Sequence, residues 1–236
     1  MNSMGSGDNA LRGAVLVTGG SSGLGAAVVS AVAKRGATPV VLDRQPPPDG
    51  AAFVQVDLAD AQAAQTAVAE ATELAGPPTA VVSAAGTDAC GRLDELAFAD
   101  WARVVAVNLV GTAAVVRAAL PSLRAGRGRI VTVASTLGLR AVSDATAYCA
   151  SKFGVVGFTR ALAAETAGEV GVTLLIPGGM NTRFFDGRPE QYRPGPDAVL
   201  DDPAHVADAV LFALSQPVGC EVREMVVCSS TETSWP

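Results

Sequence analysis

The stretch AVLVTGGSSGLGAAV, residues 14–28, decides the fold. It couples an apolar run at 14–17 to a helical pattern through a glycine-rich turn. The run is continuous rather than alternating, as in a parallel strand covered on both faces. Gly19, Gly23 and Gly25 strip the turn of side chains, so the backbone can curl tightly and approach a bulky anion. The N–H groups and positive dipole end of the following helix then face whatever occupies the turn. A dinucleotide pyrophosphate fits that description.

Outward from the turn the same alternation recurs. Residues 24–35 read as a helix with Ala27, Val28, Ala31 and Val32 toward a sheet, and Gly36 ends it. A strand at 38–42 closes on Asp43, 18 residues beyond Gly25. A carboxylate there can take both hydroxyls of an adenosine ribose, and Arg44 stands beside it. A strand at 53–56 ends at Asp57 and precedes a helix at 60–74. The strand at 79–83 runs into Ala84, Ala85 and Gly86, small residues that let a ligand lie against its carboxyl end. Next come a helix at 98–123, a strand at 128–134 with Ser135 just beyond it, and a helix at 149–167 after Tyr148. A strand at 172–176 is broken by Pro177, Gly178 and Gly179. A helix at 203–214 and a strand at 224–227 complete the chain. Residues 1–12 read as a flexible tail, and the Pro-, Gly-, Asp- and Arg-rich segment 183–200 as a mobile flap over a substrate. This order predicts one α/β domain over 13–236, a doubly wound, Rossmann-type parallel sheet of about seven strands with helices on both faces.

Composition narrows the partners. The 236 residues are 49% hydrophobic and carry 17 Lys plus Arg against 23 Asp plus Glu, a formal charge of -6. That balance disfavours nucleic acid and an anionic membrane surface and points to a small-molecule partner. Cys90, Cys149, Cys220 and Cys228 are scattered and read as free thiols, and His205 is the one histidine, so no metal site is expected. No apolar run approaches the ~20 residues of a membrane span. A cytoplasmic protein is expected.

Four residues collect at the carboxyl edge of such a sheet: Asn108, Ser135, Tyr148 and Lys152. Tyr148 and Lys152 are four apart and share a helix face. A phenol has a pKa near about 10 in water, and an ammonium one turn away favours its ionised form, so Tyr148 can shuttle a proton. Ser135 can donate to a carbonyl or alkoxide oxygen as charge builds there. Asn108 can hold a water that links Lys152 to solvent.

These segments resemble the short-chain dehydrogenase/reductase family: Thr18-Gly19-Gly20-Ser21-Ser22-Gly23-Leu24-Gly25 for its glycine motif, Val107-Asn108-Leu109, Ser135, Tyr148-Cys149-Ala150-Ser151-Lys152, and Pro177-Gly178 with Thr182. The resemblance implies that Tyr148 is the catalytic acid/base, that Lys152 binds the nicotinamide ribose and tunes Tyr148, that Ser135 orients substrate and that Asn108 supports a proton relay. It places Ser21, Ser22, Leu24, Leu58, Ala84, Ala85, Gly86, Pro177 and Gly178 along the cofactor, Asp57 at the adenine and Thr182 at the carboxamide end. It also implies a homotetramer or homodimer built on the helices at 98–123 and 148–167. Two positions depart from the pattern: Ala84 stands where an amide usually ties the central strands, and Ile176 where a polar residue often precedes the proline.

Asp43 repels a 2′-phosphate and favours NAD; Arg44, whose guanidinium can recruit that phosphate, leaves NADP open. The function expected is hydride transfer between NAD(H) and a secondary alcohol or ketone. One alternative is an NADPH-dependent ketoreductase on an acyl or polyketide intermediate; another, of a different class, is a non-catalytic dinucleotide-binding redox sensor. In the flap, Phe184 and Phe185 read as an apolar wall, while Asp186, Arg188, Arg193 and Asp197 read as solubilising charges.

Overall fold

The computed structural model describes residues 11–234. Its strands are β1 (Ala14–Thr18), β2 (Thr38–Asp43), β3 (Ala52–Gln55), β4 (Pro78–Ser83), β5 (Arg129–Val133), β6 (Gly171–Pro177) and β7 (Glu224–Val227). All pair in parallel, in the order β3-β2-β1-β4-β5-β6-β7. The helices are α1 (Gly23–Lys34), α2 (Ala61–Ala75), α3 (Phe98–Val105), α4 (Thr112–Gly126), α5 (Thr146–Glu165) and α6 (Pro203–Leu214). The chain winds outward from β1 in one direction and returns at β4 to wind in the other. The crevice beyond the carboxyl ends of β1 and β4 is where such sheets bind ligands.

Period-two alternation along β1 supplies both faces of the core at once. Val15 and Val17 pack with Val28, Val32, Val206 and Val210 of α1 and α6. Ala14 and Leu16 pack on the other side with Ala64, Val68, Val115 and Leu123 of α2 and α4. Each Val or Leu buried this fully contributes about 1.5–3 kcal/mol. Ile176 lies in a third apolar cluster with Ala134, Val155, Val156 and Leu174, which accounts for its departure from a polar residue. The amide missing at Ala84 is offset by hydroxyl contacts: Thr18 Oγ1 accepts the Ala85 N–H at 3.1 Å, and Ser83 Oγ meets Thr112 Oγ1 at 2.8 Å.

Three expectations are revised. The helix expected at 98–123 is α3 and α4 joined by a π-helical turn, Ala106–Gly111, which carries Asn108. The continuous helix Phe98–Gly126, 29 residues, is long and apolar enough to cross a membrane by length and composition. The interruption of apolar residues by Arg and Asn hid that length, and Val104, Val115, Val116, Ala119 and Leu123 of this helix are buried within the fold. Leu11 and Arg12, assigned to the tail, are tied down: Leu11 packs against the α1–α6 face, and Thr79 Oγ1 donates to the Arg12 carbonyl at 2.8 Å. The remainder of the tail, residues 1–10, lies outside the described residues.

Candidate active site

A cavity of about 1000 Å³ runs along the carboxyl edge of the sheet, from Asp43 and Leu58 past the glycine turn to Tyr148 and the flap. Gly19 has φ +69°, and a Cβ on it would come within 2.7 Å of Ala85 Cα. A Cβ on Gly25 would collide with the Gly19 carbonyl oxygen. The turn is therefore packed to its limit, and glycine alone fits it. Ser22 caps α1 without a side-chain hydrogen bond, so the first-turn N–H groups stay available to an anion. Ser22, Gly23, Leu24 and Gly25 line one wall, and Ala84, Ala85, Gly86, Pro177, Gly178 and Thr182 line others. Those residues suit an extended dinucleotide with its pyrophosphate on the α1 end.

At the adenosine end, Asp43 is more occupied than a free ribose acceptor. Its Oδ2 accepts the Ser21 N–H at 3.1 Å, and its Oδ1 accepts those of Arg44 at 2.6 Å and Gln45 at 3.3 Å. Ser21 Oγ donates to the Gln45 carbonyl, pinning the β2 end to the turn. Asp57 is paired as well: Arg103 Nη2 donates to its Oδ2 at 2.8 Å and the Ala59 N–H to its Oδ1 at 3.0 Å. The Arg103 hydrogen bond, more than any other contact, holds the Asp57 carboxyl below the usual carboxylate range. Arg103 lines the cavity and was not among the expected site residues.

At the other end Ser135 lies two residues beyond β5, and its Oγ accepts the Leu137 N–H at 3.1 Å. Lys152, 4% exposed, donates from Nζ to the Val133 carbonyl at 2.9 Å and sits 5.6 Å from the centroid of the Tyr148 ring. Burial pulls the Lys152 ammonium down to about 8. Burial also drives the Tyr148 phenol above its ordinary range, against the hydrogen bond from Ser135, which favours the phenolate. In the protein alone Tyr148 thus stands as a proton donor at neutral pH. Asn108 is committed on most of its amide: Nδ2 donates to the Thr87 carbonyl at 2.9 Å and to Ser151 Oγ at 3.0 Å, while Oδ1 accepts the Thr87 N–H at 2.8 Å. One Oδ1 lone pair remains for a water, and the rest of the side chain clamps the loop after β4 to the helix pair.

The geometry has counterparts among known proteins. Residues 13–193 match the family model for short chain dehydrogenase. The chain belongs to that family. The 2,5-dichloro-2,5-cyclohexadiene-1,4-diol dehydrogenase of Sphingobium indicum is 33% identical over 227 residues, 88% of this chain and 91% of that protein. The (3R)-3-hydroxyacyl-CoA dehydrogenase of Homo sapiens is 34% identical over 242 residues, 89% of this chain and 92% of that protein. The crystal structure of a single-substitution form of an actinorhodin polyketide ketoreductase with NADPH superposes with a TM-score of 0.83 at 29% identity, covering 94% of this chain and 98% of the other. The chain is an NAD(P)-dependent oxidoreductase, which sets aside the reading as a non-catalytic sensor.

This oxidoreductase's cavity takes in two further parts, one outside the expected site and one that is the expected flap. The first is the carboxyl-terminal segment, whose residues Thr231, Glu232, Thr233 and Ser234 line it. Glu232 Oε2 accepts the Gly179 N–H at 2.9 Å, Ser234 Oγ donates to Thr136 Oγ1 at 2.7 Å, and Arg140 Nη1 donates to the Thr233 carbonyl at 3.1 Å. The segment thereby buttresses both the loop after β6 and the turn after Ser135. The second is the base of the flap, which carries short 3-10 turns at Arg183–Phe185 and Glu190–Tyr192 and is pinned to Asp88 by Arg188. Cys90 beside them is pushed up to about 11 by burial and by the Asp88 carboxylate, so it lines the wall as a thiol. Among the described residues no three His, Cys, Asp or Glu side chains are grouped to hold a metal ion.

The depressed Lys152 pKa has a measurable consequence. Below about 8 the folded protein carries a buried ammonium that the unfolded chain solvates freely, and the penalty is fully present. Between about 8 and 10.5 the unfolded state binds the proton and the folded state does not, so stability rises with pH. Wild type is therefore expected to gain stability relative to Lys152→Met across that window, as read from urea unfolding at a series of pH values. A pH-independent difference between the two proteins would show that Lys152 is not desolvated.

Proposed function

We propose that this oxidoreductase moves a hydride between NAD(H) and a secondary alcohol or ketone, with Tyr148 as the proton donor and acceptor. The observation that carries the reading is a phenol in the wall of one cavity that Ser135 also lines, with a buried Lys152 5.6 Å from the centre of its ring. The dinucleotide, when bound, supplies or accepts the hydride. In reduction the Tyr148 phenol gives its proton to the carbonyl oxygen, and Ser135 donates a hydrogen bond to that oxygen as it becomes an alkoxide. In oxidation the phenolate takes the hydroxyl proton, and Lys152 stabilises the phenolate. Nicotinamide absorbance, followed with panels of ketones and alcohols in both directions, tests the reading. Cofactor binding without turnover on any of them would sink it.

NAD is the proposed cofactor because the Asp43 carboxylate lines the adenosine end of the cavity and would repel a 2′-phosphate. A second reading, a ketoreductase using NADPH on an acyl or polyketide intermediate, is favoured by one observation: Arg44 and Arg103 both line the adenosine end. Calorimetry with NADH and NADPH separates them, with NADH expected to bind at least about tenfold more tightly through charge repulsion of the phosphate. Tighter NADPH binding would overturn the assignment.

We further propose a homotetramer or homodimer built on the helix pair, in the cytoplasm, where free thiols persist. Phe98, stacked on Trp101 at 5.8 Å, and Val110 and Phe153 leave apolar surface exposed on α3, the π turn and α5. A monomer in sedimentation velocity at micromolar concentration would contradict this.

A further inference from the structure

Arg188 and Asp88 pair across the cavity, Nη2 to Oδ2 at 2.6 Å, with side chains only 17% and 6% exposed. A charge pair desolvated to this degree adds little net stability, because losing water offsets most of the attraction. Its surroundings are those of a recognition site. The guanidinium lies 5.2 Å from the Phe184 ring centroid and 4.7 Å from that of Phe185, and Phe184 lies 5.7 Å from the Tyr148 ring. Arg188 Nη1 donates to the Tyr192 carbonyl at 3.3 Å, but the buried Nε–H has no partner. Asp88 accepts the Ala89 N–H on Oδ1 at 2.8 Å and the Cys90 thiol on Oδ2 at 3.2 Å, which leaves it acceptor capacity. Asp88 and Arg188 line the same cavity as Tyr148.

We propose that Asp88 and Arg188 recognise a hydroxyl on the carbon next to the reacting one, so that the substrates are neutral vicinal diols and α-hydroxy ketones. Asp88 accepts the hydroxyl proton, and Arg188 holds the Asp88 carboxylate ionised and oriented to do so. A carboxylate or phosphate substrate is disfavoured, because Asp88 already balances Arg188 and repels a second anion. The aromatic floor of Phe184 and Phe185 carries the hydrocarbon face of the ring or chain. The inference rests on the reading of Tyr148 as the proton donor and acceptor.

The test compares 2-hydroxycyclohexanone with cyclohexanone as substrates, with NADH, for wild type, Asp88→Asn and Arg188→Lys. Wild type is expected to prefer the hydroxy ketone by roughly 10- to 100-fold in kcat/KM, the range for one hydrogen bond to a charged group. Each variant is expected to reduce that preference to about threefold or less, mainly through KM. A wild type without preference overturns the proposal, and so does a preference that survives in the variants, which would leave the pair a structural latch for the flap. If Asp88→Asn does not fold, Arg188→Lys keeps the charge, loses the planar guanidinium that fixes Asp88 and carries the test. Calorimetric titration of 2-hydroxycyclohexanone and cyclohexanone into the NADH complex of Tyr148→Phe, with and without Asp88→Asn, separates the two readings. Binding preference that depends on Asp88 without wild-type turnover retains the pair and discards the Tyr148 reaction; turnover without any preference does the reverse.

Discussion

Tyr148→Phe is expected to lower kcat/KM for hydride transfer by about 10²–10⁴-fold, the range that positioned acid–base groups supply, while leaving cofactor affinity within about twofold. The two effects separate because of where the hydroxyl sits. Phenylalanine keeps the ring that contacts Phe184 at 5.7 Å and faces the Lys152 ammonium, so the wall of the cavity keeps its shape. What is lost is the hydroxyl proposed as the proton carrier. Ser135 retains its contact with the Leu137 N–H, and Lys152 retains the Val133 carbonyl, so neither buried group is orphaned. Stopped-flow nicotinamide absorbance gives the rate and calorimetry the affinity. Turnover within tenfold of wild type would remove Tyr148 from the mechanism.

Gly25→Ala is expected to weaken dinucleotide binding by at least about tenfold and to destabilise the fold by about 1–3 kcal/mol, the cost of forcing a methyl into a filled space. The new Cβ would collide with the Gly19 carbonyl oxygen, and Gly20 Cα lies 3.0 Å away, so backbone on both sides must shift. Gly19 has little room to retreat, since its own Cα faces Ala85 and its N–H donates to the Leu42 carbonyl at 3.0 Å. Relief comes by moving the α1 end away from the turn, which withdraws the N–H groups that would face the pyrophosphate. Thermal unfolding with and without NAD checks both parts. An unchanged melting temperature together with unchanged NAD affinity would mean that the turn is not the anion seat.

Much of this architecture was legible in local pattern. Continuous apolar runs marked the strands because a parallel sheet is covered on both faces, and α6 and β7 occur at the residues where periodicity and Pro203 placed them. In the folded chain Asp60 and Asp202 cap α2 and α6, each side chain accepting first-turn N–H groups. Tyr148 and Lys152 could be put on one face from their spacing alone.

Other features left no local trace. The π-helical turn at Asn108 shares the apolar periodicity of its flanks, so only the backbone path of the folded chain reveals it. Arg188 sat in a segment rich in proline, glycine and charge and read as a solvated residue, whereas it is buried against Asp88, a hundred positions earlier in the chain. Glu232 follows the last strand and reaches back to Gly179, and Arg103 on α3 reaches Asp57 in the loop after β3. The amino-acid sequence by itself determined the elements, their parallel stacking and the glycine turn, because those depend on burial periodicity and backbone sterics within a few residues. Only the tertiary structure decided which charges pair inside the cavity, because such pairing depends on distances between segments that no periodicity encodes.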